Sequence, residues 1–212
     1  MGWIFDYEKL TKESPAQRIA RELNFETETH RSMTLATATV GNVVYAAVRR
    51  EIKNSSKSFV FCAVVLFKNS EKDGFGTKFM DESAGPCAID CPERIIKLLS
   101  PVDEIPNSSY AADWRARVEA ARKTRNDLRS MSTGDIVHIS HPVNFAGGPS
   151  NVDAFRFIER VRRTLIFAPL AQPNFRCRLT RYALDGAKVE KAQAAIAVDA
   201  QTVASEPARI GA

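Results

Sequence analysis

The longest apolar run in the sequence covers nine residues, 59–67, and has the length of one buried β-strand. A membrane-spanning helix needs about 18 apolar residues, so we expect no membrane partner. The neighbouring segments alternate apolar and polar residues and are separated by short turns, among them the pair Gly41-Asn42. This pattern predicts an antiparallel meander of four strands over residues 27–80.

Helix signals lie on both sides of this meander. Ser14 followed by Pro15 is typical of a helix start, and the apolar spacing predicts a short helix that ends near residue 23. The pair Cys91-Pro92 predicts a second helix whose apolar residues Ile95, Ile96, Leu98 and Leu99 pack inward. Asp113 is the predicted N-cap of a third helix with an apolar stripe and many arginines.

The period changes to two again after residue 134. Residues 152–168 fit either one helix or two strands joined by a basic turn, and we favour the strands because the adjacent segments need partners to bury their apolar faces. Residues from 186 onward contain no aromatic side chain and are rich in alanine, which predicts a disordered tail.

Together these segments predict an α+β protein with four parts. They are an antiparallel β-meander with flanking helices at 1–110, a connecting basic helix at 111–132, a small barrel-like antiparallel β unit at 133–184, and a disordered tail at 185–212.

Positive charge is concentrated in the second half of the chain. Residues 1–110 contain 14 Lys and Arg against 15 Asp and Glu, whereas residues 111–184 contain 13 against 6. All but Lys123 of these 13 are arginines, whose planar guanidinium suits phosphate or carboxylate. The bias favours nucleic acid or an acidic protein as partner; a merely solvated surface is the alternative. The candidate contact residues are Arg122, Arg125 and Arg129 on the solvent side of the third helix, and Arg160, Arg162 and Arg163.

Residues 74–92 hold the densest group of reactive side chains, with Lys78, Asp81, Glu82 and Cys91 as candidate catalytic residues. A cysteine at a helix N-terminus can have a stabilised thiolate, which makes Cys91 the best candidate nucleophile. We favour a structural role for it, because none of the three histidines is close in sequence to serve as a base.

The sequence predicts no metal site and no cofactor. Cys87 and Cys91 lack the tight spacing of a zinc knuckle, and His138 and His141 would face opposite sides of a strand. The glycines of residues 74–76 are too few and are not followed by a helix, so they do not form a phosphate loop.

Cysteine content and the N-terminus indicate the compartment. Four cysteines are too few for a disulfide framework, and the first residues lack the basic region of a secretory signal and reach an acid at Asp6. We therefore expect a cytoplasmic protein with reduced thiols; the oligomeric state is not predicted.

Five short stretches resemble a family of uncharacterised proteins from phages, plasmids and conjugative elements. They are residues 1–5, 41–45, 74–86, the pair Cys91-Pro92, and the pair Trp114-Arg115. The resemblance covers about residues 1–182, and residues 78–92 are its most specific part. The chain has Tyr45 and Phe75 where the family tends to have tryptophan, and Arg49 replaces a second aromatic residue. The resemblance implies a role in DNA maintenance or counter-defence on mobile elements and implies no reaction.

Three hypotheses follow for function. In the first, the chain is a non-enzymatic accessory or counter-defence protein of a mobile genetic element. Its arginine-rich half binds either nucleic acid or a host protein that handles nucleic acid. Alternatively, it is a small enzyme centred on the four reactive residues of segment 74–92, or a module that only binds other proteins.

Overall fold

A computed structural model describes residues 2–180 and 182–192 and confirms the α+β class. The chain forms two compact units, residues 1–126 and residues 127–212, each with its own antiparallel sheet. Within the described residues, no helix combines the length and the apolar character that crossing a membrane requires.

The first unit contains a curled six-stranded sheet in the order β1-β6-β5-β4-β3-β2. The predicted meander is confirmed as β3 to β6, with Gly41-Asn42 as the turn between β3 and β4, and short strands extend it at both edges. The elements are β1 Ile4–Asp6, α1 Pro15–Leu23, β2 Phe25–Glu26, β3 His30–Val40, β4 Val43–Ile52, β5 Ser58–Ser70, β6 Gly74–Asp81, a 3₁₀ turn at Glu82–Ala84, α2 Glu93–Ile96, a 3₁₀ turn at Val102–Glu104, and α3 Ser108–Arg129.

Helix α1 begins as the sequence predicts. Ser14 Oγ accepts from the Gln17 backbone N–H at 3.3 Å and Gln17 Oε1 accepts from the Ser14 N–H at 2.8 Å, which is a capping box. Ile19 of this helix packs against Val44, Val65 and Phe75 on one face of the sheet. Burial of this apolar side chain stabilises the helix, which nine residues alone would not sustain in water.

The two later helices differ from the prediction at their ends. Helix α3 begins at Ser108 rather than after Asp113, because Asn107 adopts a left-handed backbone conformation that turns the chain ahead of it. The expected stripe is confirmed, since Trp114 and Val118 are buried in the core. Helix α2 spans only four residues, and Leu98, which was expected to pack inward, is 42% exposed.

The two glycines at positions 74 and 76 allow β1 to lie against β6. A Cβ atom on Gly74 would lie 2.4 Å from the Asp6 carbonyl oxygen, and one on Gly76 would lie 2.8 Å from the Phe5 ring. Gly74 also has a φ of +69°, a backbone conformation that residues other than glycine rarely adopt. Packing of the edge strand therefore accounts for both glycines.

The second unit has a four-stranded antiparallel sheet in the order β10-β7-β8-β9. Its strands are β7 Ile136–Val143, β8 Val152–Val161, β9 Thr164–Pro169 and β10 Lys188–Glu190. Residues 152–168 are thus two strands, as we favoured, and Arg162 in the basic turn has a φ of +55°. Phe155, Phe157 and Phe167 are buried on one face and form the core of this unit.

The tail prediction is wrong for the segment that contains β10. Val189 pairs with Val137, Lys191 forms an ion pair with Asp135, and the Ala192 N–H donates to the Asp135 carboxylate at 2.9 Å. The segment stays largely exposed, and it is held by strand pairing and by the Asp135 carboxylate rather than by burial of apolar side chains. The rest of the predicted tail, residues 193–212, lies outside the described residues. The unit boundary follows residue 126, so most of α3 belongs to the first unit and is not a separate connecting segment.

Candidate functional site

The Glu82 side chain completes the hydrogen bonding of β5 where β6 leaves the sheet. The last paired residue of β6 is Asp81, opposite Ala63, so the first part of β5 has no partner strand on that side. Glu82 Oε1 accepts from the Cys62 N–H at 2.8 Å, and Ser100 binds the Val60 backbone through its own N–H and hydroxyl group. The Glu82 carboxylate thus accepts the backbone hydrogen bond of β5 that a neighbouring strand would otherwise accept.

Arg115 neutralises this carboxylate. Its Nε lies 2.6 Å from Glu82 Oε2, a terminal nitrogen lies 3.1 Å from Oε1, and the other donates to the Ser100 carbonyl at 2.7 Å. Glu82 is fully buried, and such a two-point ion pair satisfies both carboxylate oxygens. The sequence prediction of Glu82 as a catalytic carboxylate has no support in this geometry, because every oxygen already has a structural partner.

Cys91 lies in the apolar core of the first unit. It packs with Tyr45, Cys62 and Trp114, and its Sγ donates to the Pro92 carbonyl at 3.8 Å. Burial raises the pKa of the Cys62 thiol, and a hydrogen bond with Cys91 raises it further. Burial also raises the pKa of the Tyr45 hydroxyl group. Cys62 and Tyr45 are therefore held neutral in the core, and the burial of Cys91 beside them agrees with the structural role favoured for it.

Lys78 and Asp81 do not share a site. Three positions separate them along β6, so their side chains project from opposite faces of the sheet. Asp81 accepts from the Ser83 hydroxyl group at 2.5 Å and lines a small cavity together with Glu82. Neither Lys78 nor Cys91 lines that cavity. The structure therefore does not bring the four candidate catalytic residues together.

Two of the three candidate arginines on α3 are engaged within the first unit. Arg122 forms ion pairs with Glu93 at 3.6 Å and Glu119 at 3.1 Å, and Arg125 pairs with Asp90. Both side chains are partly exposed, and their acidic partners are Glu119 on the same helix, Glu93 on α2 and Asp90 in the loop before α2. Arg129, the third, is exposed.

The second candidate cluster lies around the turn between β8 and β9. Arg160 donates to the carbonyls of Leu128 at 2.9 Å and Arg129 at 3.3 Å, so it caps the last turn of α3, where a positive charge is favourable. Arg162 and Arg163 form the turn itself and are exposed. The cluster thus contains one structural arginine and two that face solvent.

Sequence reasoning missed a convergence of two other arginines. Arg156 projects from β8 on the face opposite the phenylalanine core, and Arg176 comes from the segment after β9. Both line a cavity of about 200 Å³ whose remaining walls are Ile158, Ala168, Pro169, Leu170 and Pro173. Alternation with Phe155 and Phe157 could have placed Arg156 on the outer face, but no local pattern brings Arg176 to it.

The histidines do not form a metal site within the described residues. His138 lies 3.5 Å from Glu190 of the neighbouring strand. Across residues 2–180 and 182–192, no group of three or more histidine, cysteine or acidic side chains is arranged to hold a metal ion.

A known family model matches part of the chain. Residues 105–182 match a family model described as a domain of unknown function, DUF6927. Searches of the curated proteins and of the solved structures find no match. The DUF6927 match covers all the candidate polyanion-binding arginines, as well as Trp114 and Arg115 from the stretches that carried the resemblance. The four candidate catalytic residues lie outside it.

Proposed function

We propose that the protein binds nucleic acid through exposed arginines of its second unit, without catalysing a reaction. One observation carries the proposal: no described arginine of this unit forms an ion pair with another described residue. These arginines are Arg129, Arg156, Arg160, Arg162, Arg163, Arg176 and Arg178, and all are exposed.

The chemistry of these side chains favours phosphate. A guanidinium group offers up to five N–H donors in a planar arrangement that matches phosphate oxygens, and it keeps its charge at all physiological pH values. Several unpaired guanidinium groups on one small unit create a positive surface that attracts a phosphate backbone without reading base sequence. Arg156 and Arg176 line one cavity, so two guanidinium groups can bind the same anion there.

The setting is part of the same proposal. Action on a mobile genetic element, as an accessory or counter-defence protein in the cytoplasm, accords with the resemblance described above and with four unpaired cysteines. An acidic host protein is the alternative partner, and the binding experiment below separates it from nucleic acid.

Fluorescence anisotropy with labelled single-stranded and duplex DNA tests the proposal. The variant Arg162→Gln/Arg163→Gln removes two turn guanidinium groups, and we expect it to weaken DNA binding about tenfold at low salt. The matched control, Arg49→Gln/Arg117→Gln, removes the same charge from exposed positions of the first unit and should change the affinity less than about twofold. Equal weakening in both variants would show that net charge alone attracts DNA. Retention of an acidic protein by a chain that binds no DNA would assign the surface to protein.

A further inference from the structure

A second cavity lies in the first unit, on the face of the sheet that α1 covers at one end. Ser32 on β3 stands directly opposite Arg50 on β4, and both side chains line a cavity of about 220 Å³. The other walls are apolar and comprise Leu23, Phe25, Val48, Phe61 and Phe79.

Both polar side chains of this cavity lack partners. Ser32 is only 3% exposed, yet its Oγ has no hydrogen-bond partner among the described residues, and the same holds for the buried Nε of Arg50. Burying a donor without a partner destabilises the folded state, and buried polar atoms without a partner are rare in native proteins, so two of them side by side call for an explanation.

The Arg50 guanidinium is held in place without being neutralised. Its Cζ lies 4.6 Å from the centre of the Phe61 ring. Arg50 also lines the adjoining small cavity with Asp81 and Glu82, but it forms an ion pair with neither. Glu82 is bound to Arg115, and Asp81 accepts from Ser83. No carboxylate among the described residues forms an ion pair with Arg50, so its positive charge faces the apolar cavity without a counter-ion.

We propose that this cavity binds a small organic monocarboxylate with an apolar body, such as an aryl carboxylic acid. The carboxylate would accept from Arg50 Nε and Ser32 Oγ, and the apolar group would pack against Leu23 and the phenylalanine rings. One guanidinium matches one carboxylate, and apolar walls with a few convergent polar groups are the usual composition of small-molecule sites. The site is separate from the arginines of the second unit and does not depend on nucleic-acid binding.

NMR detection of the arginine Nε–Hε signals in the full chain tests the proposal directly, with benzoate as the probe. Addition of benzoate up to about 10 mM should shift the Arg50 signal in a saturable manner, which corresponds to at least millimolar affinity. Benzamide has the same ring without the charge and should bind at least tenfold more weakly. An Arg50 signal that does not move with benzoate, or that moves equally with benzamide, would overturn the proposal.

Three variants identify the polar contacts. Arg50→Gln should weaken benzoate binding at least tenfold, and Ser32→Ala should weaken it several-fold. Arg49→Gln removes the neighbouring arginine, which projects from the opposite face of β4, and should leave the affinity within twofold. Equal effects of the two arginine variants would contradict the assignment. The benzamide comparison on the unmodified chain keeps its force even where a variant fails to fold.

Discussion

Among the described residues, each unit buries one carboxylate, but the two units differ in whether their arginines form ion pairs. Glu82 in the first unit is neutralised by Arg115, and Asp135 in the second is held by Lys191 and two backbone N–H groups. Beyond these sites, several arginines of the first unit pair with acids of its own surface, whereas the described arginines of the second unit do not. Arginine–acid ion pairs are thus a feature of the first unit, and the lack of such pairs among the described arginines of the second unit is the difference on which the proposed function depends.

The largest expected effect comes from breaking the buried ion pair of the first unit. Arg115→Gln leaves the Glu82 carboxylate buried without a cation, and we expect a loss of about 3 to 5 kcal/mol in the free energy of unfolding. Urea denaturation measures it. Arg117→Gln, two positions along the same helix and exposed, is the control and should lose less than about 0.5 kcal/mol. Similar losses in the two variants would show that the ion pair contributes nothing particular.

A smaller effect is expected from shortening the second unit. A chain that ends at residue 186 lacks β10 and the Lys191 and Ala192 contacts to Asp135, so we expect it to lose about 2 to 3 kcal/mol. A chain that ends at residue 192 keeps all of these contacts and is the control. The thermal unfolding midpoints of the two chains measure the difference. If the two chains have the same midpoint, β10 does not stabilise the unit.

Asp135 also predicts a dependence of stability on pH. Burial alone would raise the pKa of its carboxyl group, but hydrogen bonds from Ser132, Ala192 and Lys191 outweigh burial and lower it. The folded state therefore binds the proton less readily than the unfolded state, so this stabilisation is present above about pH 4 and is lost as pH falls through the folded pKa. Asp135→Asn should be less stable at pH 7 and lose less stability on acidification. Parallel pH profiles for the variant and the unmodified chain would contradict this account.

The helices and the longer strands could be predicted because their apolar residues recur at a regular spacing. The alternation around Gly41-Asn42 and in residues 152–168 identifies strands, and Ser14 identifies the start of α1. Strands of two or three residues such as β1 and β10 are too short to show a period, so their pairing depends on tertiary contacts.

Which charged side chains form ion pairs with one another could not be predicted from local sequence. Arg125 binds Asp90, which lies 35 residues earlier, and Arg115 binds Glu82, which lies 33 residues earlier. Helical spacing places these arginines on a face of α3, but it does not show which loops approach that face. Local sequence likewise gives no indication that Arg176 and Arg156 line one cavity.

The salt dependence of DNA binding tests most directly whether the second unit keeps its arginines free for phosphate. The unmodified chain should lose affinity linearly on a plot of log affinity against log salt concentration. Replacing Arg156, Arg162, Arg163 and Arg176 by glutamine should make that slope shallower by about 3 to 4, because each phosphate contact contributes about 0.9. The same variant should unfold within about 0.5 kcal/mol of the unmodified chain, since these side chains are exposed. An unchanged slope, or a large loss of stability, would contradict the division of charge between the two units.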